Sequence, residues 1–255
     1  MQENSPIDFF IYGQIKNFSG RILDYGCGSG RFIDFCKERS LVVDGADSFQ
    51  GIYKSWSTKN SAIFRIENGV VPKQDQYYDI VISSMVLEHV SNTKAEEVAR
   101  ELKRLLSSNG FELHIFPTKK TLIEGHIGIL GAHWLKKCPR IQNNYLKICF
   151  KLGYGYWRSD TKRGSITTKT CNDWVSDSIN TLNEHCFYIS VKDWKNLFED
   201  NSLNVEDVSY LILIFAMPDF ISGLLIQLSS IKALRVLMNT LVHLRLGTAL
   251  RLSNR

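Results

Sequence analysis

Apolar and polar positions along the first 117 residues change period repeatedly. Ile7–Phe18 carries apolar side chains at helical spacing and stops at Gly20. Arg21-Ile22-Leu23-Asp24-Tyr25 is a short strand halted by Gly26-Cys27-Gly28-Ser29-Gly30, and Arg31–Arg39 is helical, with Phe32, Phe35 and Cys36 on one face. Leu41-Val42-Val43 opens a second strand that ends near Asp47. A helix is expected over Phe49–Lys59, a third strand over Ala62–Ile66 and a fourth over Asp79–Ser83. The fourth has the continuous apolar centre of a strand covered on both faces. Thr93-Lys94-Ala95-Glu96 reads as a capping box. Its helix should run to Ser107 and stop before Asn109-Gly110, and Phe111–Phe116 is a fifth strand closed by Pro117.

Five strands alternating with helices predict an α/β fold. The rhythm is lost over residues 118–189, which read as an insert with its own helices carried on the fifth strand. It resumes with a helix over Ser190–Asp200 and a strand over Val205–Phe215. Whether Val205–Met217 is one long strand or a hairpin stays open. The tail, Phe220–Arg255, reads as helical, with Gly247 its late interruption. The expected domains are therefore 1–117 with 190–217, the insert 118–189, and an amphipathic tail 218–255.

In an open parallel sheet, ligands bind beyond the carboxyl ends of the strands, so polar residues there matter most. The glycine turn after the first strand suits a nucleotide, with Asp47, 21 residues after Gly26, placed to hold ribose hydroxyls. Asp24 decides which nucleotide. A carboxylate two residues before the first glycine would oppose the pyrophosphate of a dinucleotide and suits a ligand carrying positive charge. Such a ligand is S-adenosylmethionine, with an ammonium, a sulfonium and no phosphate.

The segment Ile22-Leu23-Asp24-Tyr25-Gly26-Cys27-Gly28-Ser29-Gly30 resembles the first motif of class I S-adenosylmethionine-dependent methyltransferases. Asp79–Val90, with its Leu87-Glu88-His89-Val90 ending, resembles that family's fourth-strand motif, and Asn109-Gly110-Phe111 its turn into the fifth strand, where Asn-Gly replaces the usual Gly-Gly. The resemblance covers residues 20–117. It implies a doubly wound, mostly parallel Rossmann-like sheet with a helical insert after strand 5 and a helical C-terminal tail. It implies S-adenosylmethionine as cofactor, held by Asp24, Gly26, Cys27, Gly28, Gly30, Asp47 and Ser48. Glu67 and Asn68 stand at the third strand end, where the family often contacts adenine, and Ser83 and Ser84 at the fourth.

Methyl transfer to a hydroxyl needs a base, because a hydroxyl is a weak nucleophile until its proton is taken. His89 after the fourth strand, and His126 and His133 after the fifth, are the candidates, with His126 or His133 preferred. Glu124-Gly125-His126-Ile127 loosely resembles methyltransferases encoded with bacterial surface-polysaccharide enzymes, which points to O-methylation of a saccharide or other small acceptor. The fourth strand lacks the Asn- or Asp-Pro-Pro-aromatic motif expected of one class of nucleic-acid amino-methylating enzymes.

Composition changes this picture through charge. With 44% hydrophobic and 22% charged residues the chain is an ordinary globular protein, and its net charge is +5. Residues 118–169 carry eleven basic and two acidic side chains, a net +9, leaving −4 for the rest. Trp134, Tyr145, Phe150, Tyr154, Tyr156 and Trp157 lie among them. This suits an anionic acceptor, a phosphorylated sugar or a nucleic-acid backbone, so an RNA methyltransferase is a second reading and a non-catalytic cofactor-binding partner subunit a third. The tail has one acid against Lys232, Arg235, Arg245, Arg251 and Arg255, with Leu224, Leu228, Ile231 and Met238 at helical spacing. It reads either as a surface for an anionic membrane or as a helix packed on the protein or on a second copy in a homodimer. The six cysteines show no zinc spacing, so no metal site is expected. With no signal peptide at the N-terminus, free thiols and a cytoplasmic location are expected.

Overall fold

The computed structural model describes residues 5–48, 63–156, 158–162 and 165–255. The helix expected over Phe49–Lys59 lies outside the described residues, as do Ala62, Trp157 and Arg163. Helix α1 (Pro6–Ile15) begins with Pro6 in its first turn and a capping box, Ser5 Oγ accepting from Asp8 N while Asp8 Oδ2 accepts from Ser5 N. Then follow β1 (Ile22–Tyr25), α2 (Arg31–Lys37), β2 (Asp44–Asp47), β3 (Ile63–Arg65), β4 (Tyr78–Ser84), a one-turn 3-10 helix (Leu87–His89), α3 (Ala95–Leu105) and β5 (Leu106–Phe116).

The insert contains the hairpin β6 (Ile123–Glu124) and β7 (Ile129–Leu130), a 3-10 helix (Ala132–Lys137), α4 (Pro139–Lys151), a second hairpin β8 (Ser159–Lys162) and β9 (Ser165–Thr168), and α5 (Cys171–Asn180) running into a π turn (Thr181–His185). The chain closes with α6 (Val191–Asp200), β10 (Leu203–Asp207), α7 (Ser209–Phe215), α8 (Asp219–Ser229), α9 (Lys232–Arg245) and β11 (Thr248–Asn254).

One seven-stranded sheet has the order β10-β11-β5-β4-β1-β2-β3. Strands β3, β2, β1, β4 and β5 pair in parallel, and β11 runs antiparallel to both β5 and β10. This is the α/β fold that the alternation predicts, in the doubly wound, mostly parallel form that the family resemblance implies. Side chains alternate across β1. Leu23 faces α3 and α6 through Ala99, Leu102, Trp194 and Phe198. Ile22 faces α1, α2 and α7 through Phe10, Ile11, Phe35 and Ile212. The insert has a small core of its own around Trp174, Leu146, Ile129 and Leu182.

Several expected elements differ. β2 begins at Asp44, not Leu41, and Val42 is 80% exposed. The Thr93 capping box does not form. Lys94 is the N-cap with no side-chain bond, and Thr93 Oγ1 instead meets Ser91 Oγ. Asn109-Gly110 does not stop the helix but lies inside β5, which starts at Leu106 across from Tyr78.

The strand expected over Val205–Phe215 ends at Asp207, and α7 follows. Asp207 Oδ1 accepts from Ser209 N and Oγ, turning the backbone there. A short apolar run such as Tyr210–Phe215 does not separate strand from buried helix by period, and packing decides it. The tail is helical over α8 and α9, but Thr248–Asn254 form β11, a strand inserted between β5 and β10.

All six cysteines are free thiols. Among the described residues no single helix is long and apolar enough to cross a membrane. The pair Ile221–Ser229 and Lys232–Arg245 reaches that composition only together, bent by 120°.

Candidate functional site

The strand order reverses between β1 and β4, which opens a crevice at their carboxyl ends. A cleft of about 1030 Å³ lies there. Its floor is the loop after β1. Gly26 adopts φ +78°, and a Cβ there would sit 2.4 Å from Val86 Cγ2, so glycine is required. Gly26 N and Cys27 N both donate to the Ala46 carbonyl (2.7 and 3.1 Å), tying the loop to β2, and Gly28 N donates to Asp47 Oδ2 (2.8 Å). A Cβ on Gly28 would meet nothing within 4 Å, so the loop backbone is bare towards the cleft.

Of the residues the sequence singled out for a cofactor, Gly26, Gly28, Asp47, Ser48 and Asn68 line the cleft. Asp24 and Cys27 lie buried beneath the loop, and Gly30 is the left-handed N-cap of α2. Glu67 sits outside the lining, in a turn bridged to Val70, with its carboxylate 3.7 Å from Arg65. Ser83 is fully buried and meets His114 Nδ1 (2.7 Å), whose Nε2 donates to Glu112 (2.8 Å). It belongs to a polar trio inside the sheet. Ser84 is also outside the lining. The walls that sequence reasoning missed are Met85, Val86, Val90, Lys94, Glu97 and Phe187.

Charge beneath the loop is acidic. Burial first, then the carboxylates of Asp47 and Asp8, push the Asp24 carboxyl up to about 7, with Arg31 opposing. Arg31 is itself engaged by Asp8, its Nη2 donating to Oδ1 at 3.1 Å. The floor of the cleft is thus short of positive charge and suits a cationic ligand.

Beside this cleft a second group of side chains converges. The 3-10 helix after β4 turns Glu88 fully inward and places His89 on the cleft wall. The β6–β7 hairpin brings His126, whose Nε2 lies 3.1 Å from His89 Nε2. Behind His126, Glu124 accepts from its Nδ1 (2.6 Å), from His126 N and Ile127 N (2.9 and 2.8 Å), and from the Tyr188 hydroxyl. His89 Nδ1 donates to the His185 carbonyl (2.6 Å). Cys186 Sγ stands 3.7 Å from His126 Nδ1 and 4.0 Å from His89 Nδ1.

These contacts set the protonation. Burial disfavours charge on His126, but the Cys186 and Glu124 hydrogen bonds outweigh it and raise His126 to about 10. Glu124 likewise resists its burial through the His126 and Tyr188 bonds and falls to about 2. Burial raises Glu88 to about 7.

The structure therefore brings His89 and His126 together and keeps His133 apart. His133 Nε2 donates to the Lys119 carbonyl (3.2 Å), its ring packs against Tyr188, and burial lowers its pKa. Cys186 and Tyr188 carried no local sequence signal for this site. They arrive from the far end of the insert because Phe187 N pairs with the Glu88 carbonyl (2.7 Å).

Part of the insert's basic charge is structural. Lys136 donates to the Asn183 carbonyl (2.6 Å), Arg158 to the Phe150 carbonyl (2.9 Å), and Lys169 pairs with Asp177 (2.7 Å). Lys119, Lys120, Lys137 and Arg140 remain exposed.

A family profile described as methyltransferase domain matches residues 9–208. The chain is 28% identical over 178 residues to the ubiquinone biosynthesis O-methyltransferase of Rickettsia conorii (strain ATCC VR-613 / Malish 7). That match takes in 62% of this chain and 58% of the relative, less than two thirds of its length. The fold is similar to that of PKMT2 from Rickettsia typhi in complex with AdoHcy, with a TM-score of 0.54 and 16% identity over 92% of this chain and 48% of that one. The second likeness is one of fold.

Proposed function

The chain belongs to the methyltransferase domain family, and from that membership we propose that it moves a methyl group from S-adenosylmethionine to a hydroxyl of a small acceptor. The observation that carries this is the pairing of an acid-floored, glycine-lined cleft with a proton-accepting cluster on its wall. When bound, S-adenosylmethionine supplies an electrophilic methyl group on a sulfonium that is its own leaving group.

The residues present fit that cofactor. Asp47 at the end of β2 is placed for ribose hydroxyls, and the bare Gly28 backbone allows close approach. Asp24 and Asp47 offer negative charge to an ammonium, and Met85, Val86 and Val98 give an apolar wall.

The chain's own work is to align the acceptor, exclude water and take its proton. His89 is the histidine of the pair that lines the cleft. Glu88, His89, His126 and Cys186 are close enough to titrate as a set, so the proton enters the cluster as a whole. With Glu88 near 7, the cluster has room for it at neutral pH. An oxygen acceptor agrees with the O-methyltransferase relative. The exposed lysines and arginine of the insert favour an acceptor bearing phosphate or carboxylate, such as a modified saccharide. Incubation with labelled S-adenosylmethionine and a panel of phosphorylated sugars, phenols and RNA tests this. Label in a hydroxyl-bearing acceptor supports it, and label only in RNA or in no acceptor sinks it.

Asp24 gives the cofactor step a pH dependence. Its carboxyl is raised above the 3.8 of an unfolded chain to about 7, so it is protonated in the folded protein at pH 5 and ionised at pH 8. The empty protein loses stability as pH rises from 3.8 to about 7, where an unfolded Asp is ionised and the buried one still holds its proton, and a bound cation reverses the loss. Affinity for S-adenosylmethionine should therefore rise by about tenfold between pH 6 and 8, given that hydrogen bonds to charged groups are worth roughly 1.5–3 kcal/mol. Asp24→Asn should bind weakly at both pH values. Calorimetry showing the same pH slope in the variant would remove Asp24 from this role.

A further inference from the structure

Glu88, His89 and His126 bring one carboxylate oxygen and two imidazole nitrogens to a common point. Both Nδ1 atoms are committed. A carbonyl oxygen cannot donate, so His89 Nδ1 carries the hydrogen of its bond to His185 O. Glu124 already accepts from two backbone N–H groups and from Tyr188, so His126 Nδ1 carries the hydrogen in its bond to Glu124. A neutral imidazole has one N–H. With both rings neutral, the two Nε2 atoms, 3.1 Å apart, would face each other lone pair to lone pair, and either a proton or a metal cation fits between them. The rings meet edge to face at 76°, so their edges converge rather than stack.

Glu88 is 0% exposed, neither of its carboxylate oxygens has a hydrogen-bond partner, and its Oε1 is 3.9 Å from each Nε2. A buried carboxylate without partners is costly, and two facing lone pairs add to that cost. A single positive centre among the three atoms resolves both.

We propose that His89 Nε2, His126 Nε2 and Glu88 Oε1 hold a divalent transition-metal cation, with zinc the best match. The point equidistant from the three atoms lies about 2.1 Å from each, inside the roughly 2.0–2.2 Å range of zinc bonds to imidazole and carboxylate. Imidazole ligands suit zinc or cobalt better than magnesium. Cys186 Sγ stands beside the same two rings, 4.0 and 3.7 Å from the Nδ1 atoms of His89 and His126, and one ligand atom each of His89, His126 and Cys186 lies within 4.8 Å of the others.

The outer contacts are those that orient metal-bound histidines. Glu124 stands behind His126, and the His185 carbonyl behind His89. Two imidazoles and one carboxylate leave a coordination position open, and His89 sits on the cleft wall, so the ion would face the acceptor. The ligands lie 37 residues apart in the case of the two histidines, and Cys186 a further 60 on from His126, which is why no cysteine or histidine spacing revealed them. The inference rests on the cluster and not on methyl transfer, and an ion there would take the lone pairs that the empty cluster offers to the acceptor's proton.

The test uses the full chain stripped with a chelator, then titrated with zinc by calorimetry and with cobalt by visible absorption. The expected result is one equivalent of either ion, with the cobalt bands of a four- or five-coordinate site. Glu88→Gln and the double variant Glu88→Gln/His126→Ala should lose at least about a hundredfold in affinity. Glu124→Gln, which leaves the ligands in place, should lose roughly 10–100-fold. S-adenosylmethionine binding is measured on the same samples. Its retention in a variant shows an intact fold, and its absence in the wild type would break the methyltransferase reading without touching this one. No uptake of either ion by the wild type, or equal uptake by the double variant, overturns the metal site and leaves a proton shared between the two Nε2 atoms.

Discussion

Replacing Asp47 with alanine is expected to weaken S-adenosylmethionine binding by about a hundredfold or more. Asp47 ends β2 at the lip of the cleft and accepts from Gly28 N at 2.8 Å, so under the proposed function one carboxylate both shapes the loop and holds the ligand. Two ribose hydroxyls on an ionised carboxylate, at roughly 1.5–3 kcal/mol per charge-assisted hydrogen bond, amount to about 3 kcal/mol or more. At about 1.4 kcal/mol per tenfold this is two decades of affinity. Asp47→Asn keeps an acceptor for Gly28 N but loses the charge, and should fall between wild type and alanine. Calorimetry on the three proteins decides this. Unchanged affinity in Asp47→Ala would place the ribose elsewhere and undo the orientation assigned to the cofactor.

The second large effect concerns stability. Gly247 joins α9 to β11 at φ +112°, and a Cβ there would lie 2.3 Å from the Phe116 carbonyl oxygen and 2.7 Å from Pro117 Cα. Both obstacles are backbone, held by the pairing of Thr248 with Phe116, and neither moves without opening the β5–β11 ladder. A non-glycine residue in that conformation costs about 1–3 kcal/mol before the clash is counted. Gly247→Ala should therefore destabilise the protein by about 4 kcal/mol, lowering Tm by roughly 10 °C or more at about 2–4 °C per kcal/mol for a domain of this size. Cofactor affinity of the folded variant at low temperature should stay near wild type, because β11 lies on the far side of β5 from the cleft. A Tm within about 2 °C of wild type would show that the ladder relaxes around the new methyl group.

The two variants probe features of different legibility. Asp47 and the glycine turn were readable because a strand, a tight turn and an acid at the next strand end are local patterns, each confined to a few residues. The folded geometry adds a steric reason for one of them: Gly26 needs its missing Cβ because Val86 fills that space. Ser83 shows the limit of the same logic. It stands at a strand end, but side chains alternate across a sheet, and its hydroxyl points to His114 inside. His133 shows another limit, since only seven residues separate it from His126, yet its ring packs on Tyr188 while His126 meets His89.

By itself the sequence determined the alternation of strands and helices up to Pro117, the parallel sheet that follows from it, the glycine loop with its acid partner, and the concentration of positive charge in the insert. These depend on short-range period, turn chemistry and composition. Tertiary structure alone decided three things. It made Tyr210–Phe215 a helix, because a short run that is apolar at every position has no period to read. It placed Thr248–Asn254 as an inner strand, because pairing with β5 and β10 satisfies a backbone that the local sequence would equally leave helical. It also joined Glu88, His89, His126 and Cys186, because side chains far apart in sequence meet only where the insert folds back over the end of β4.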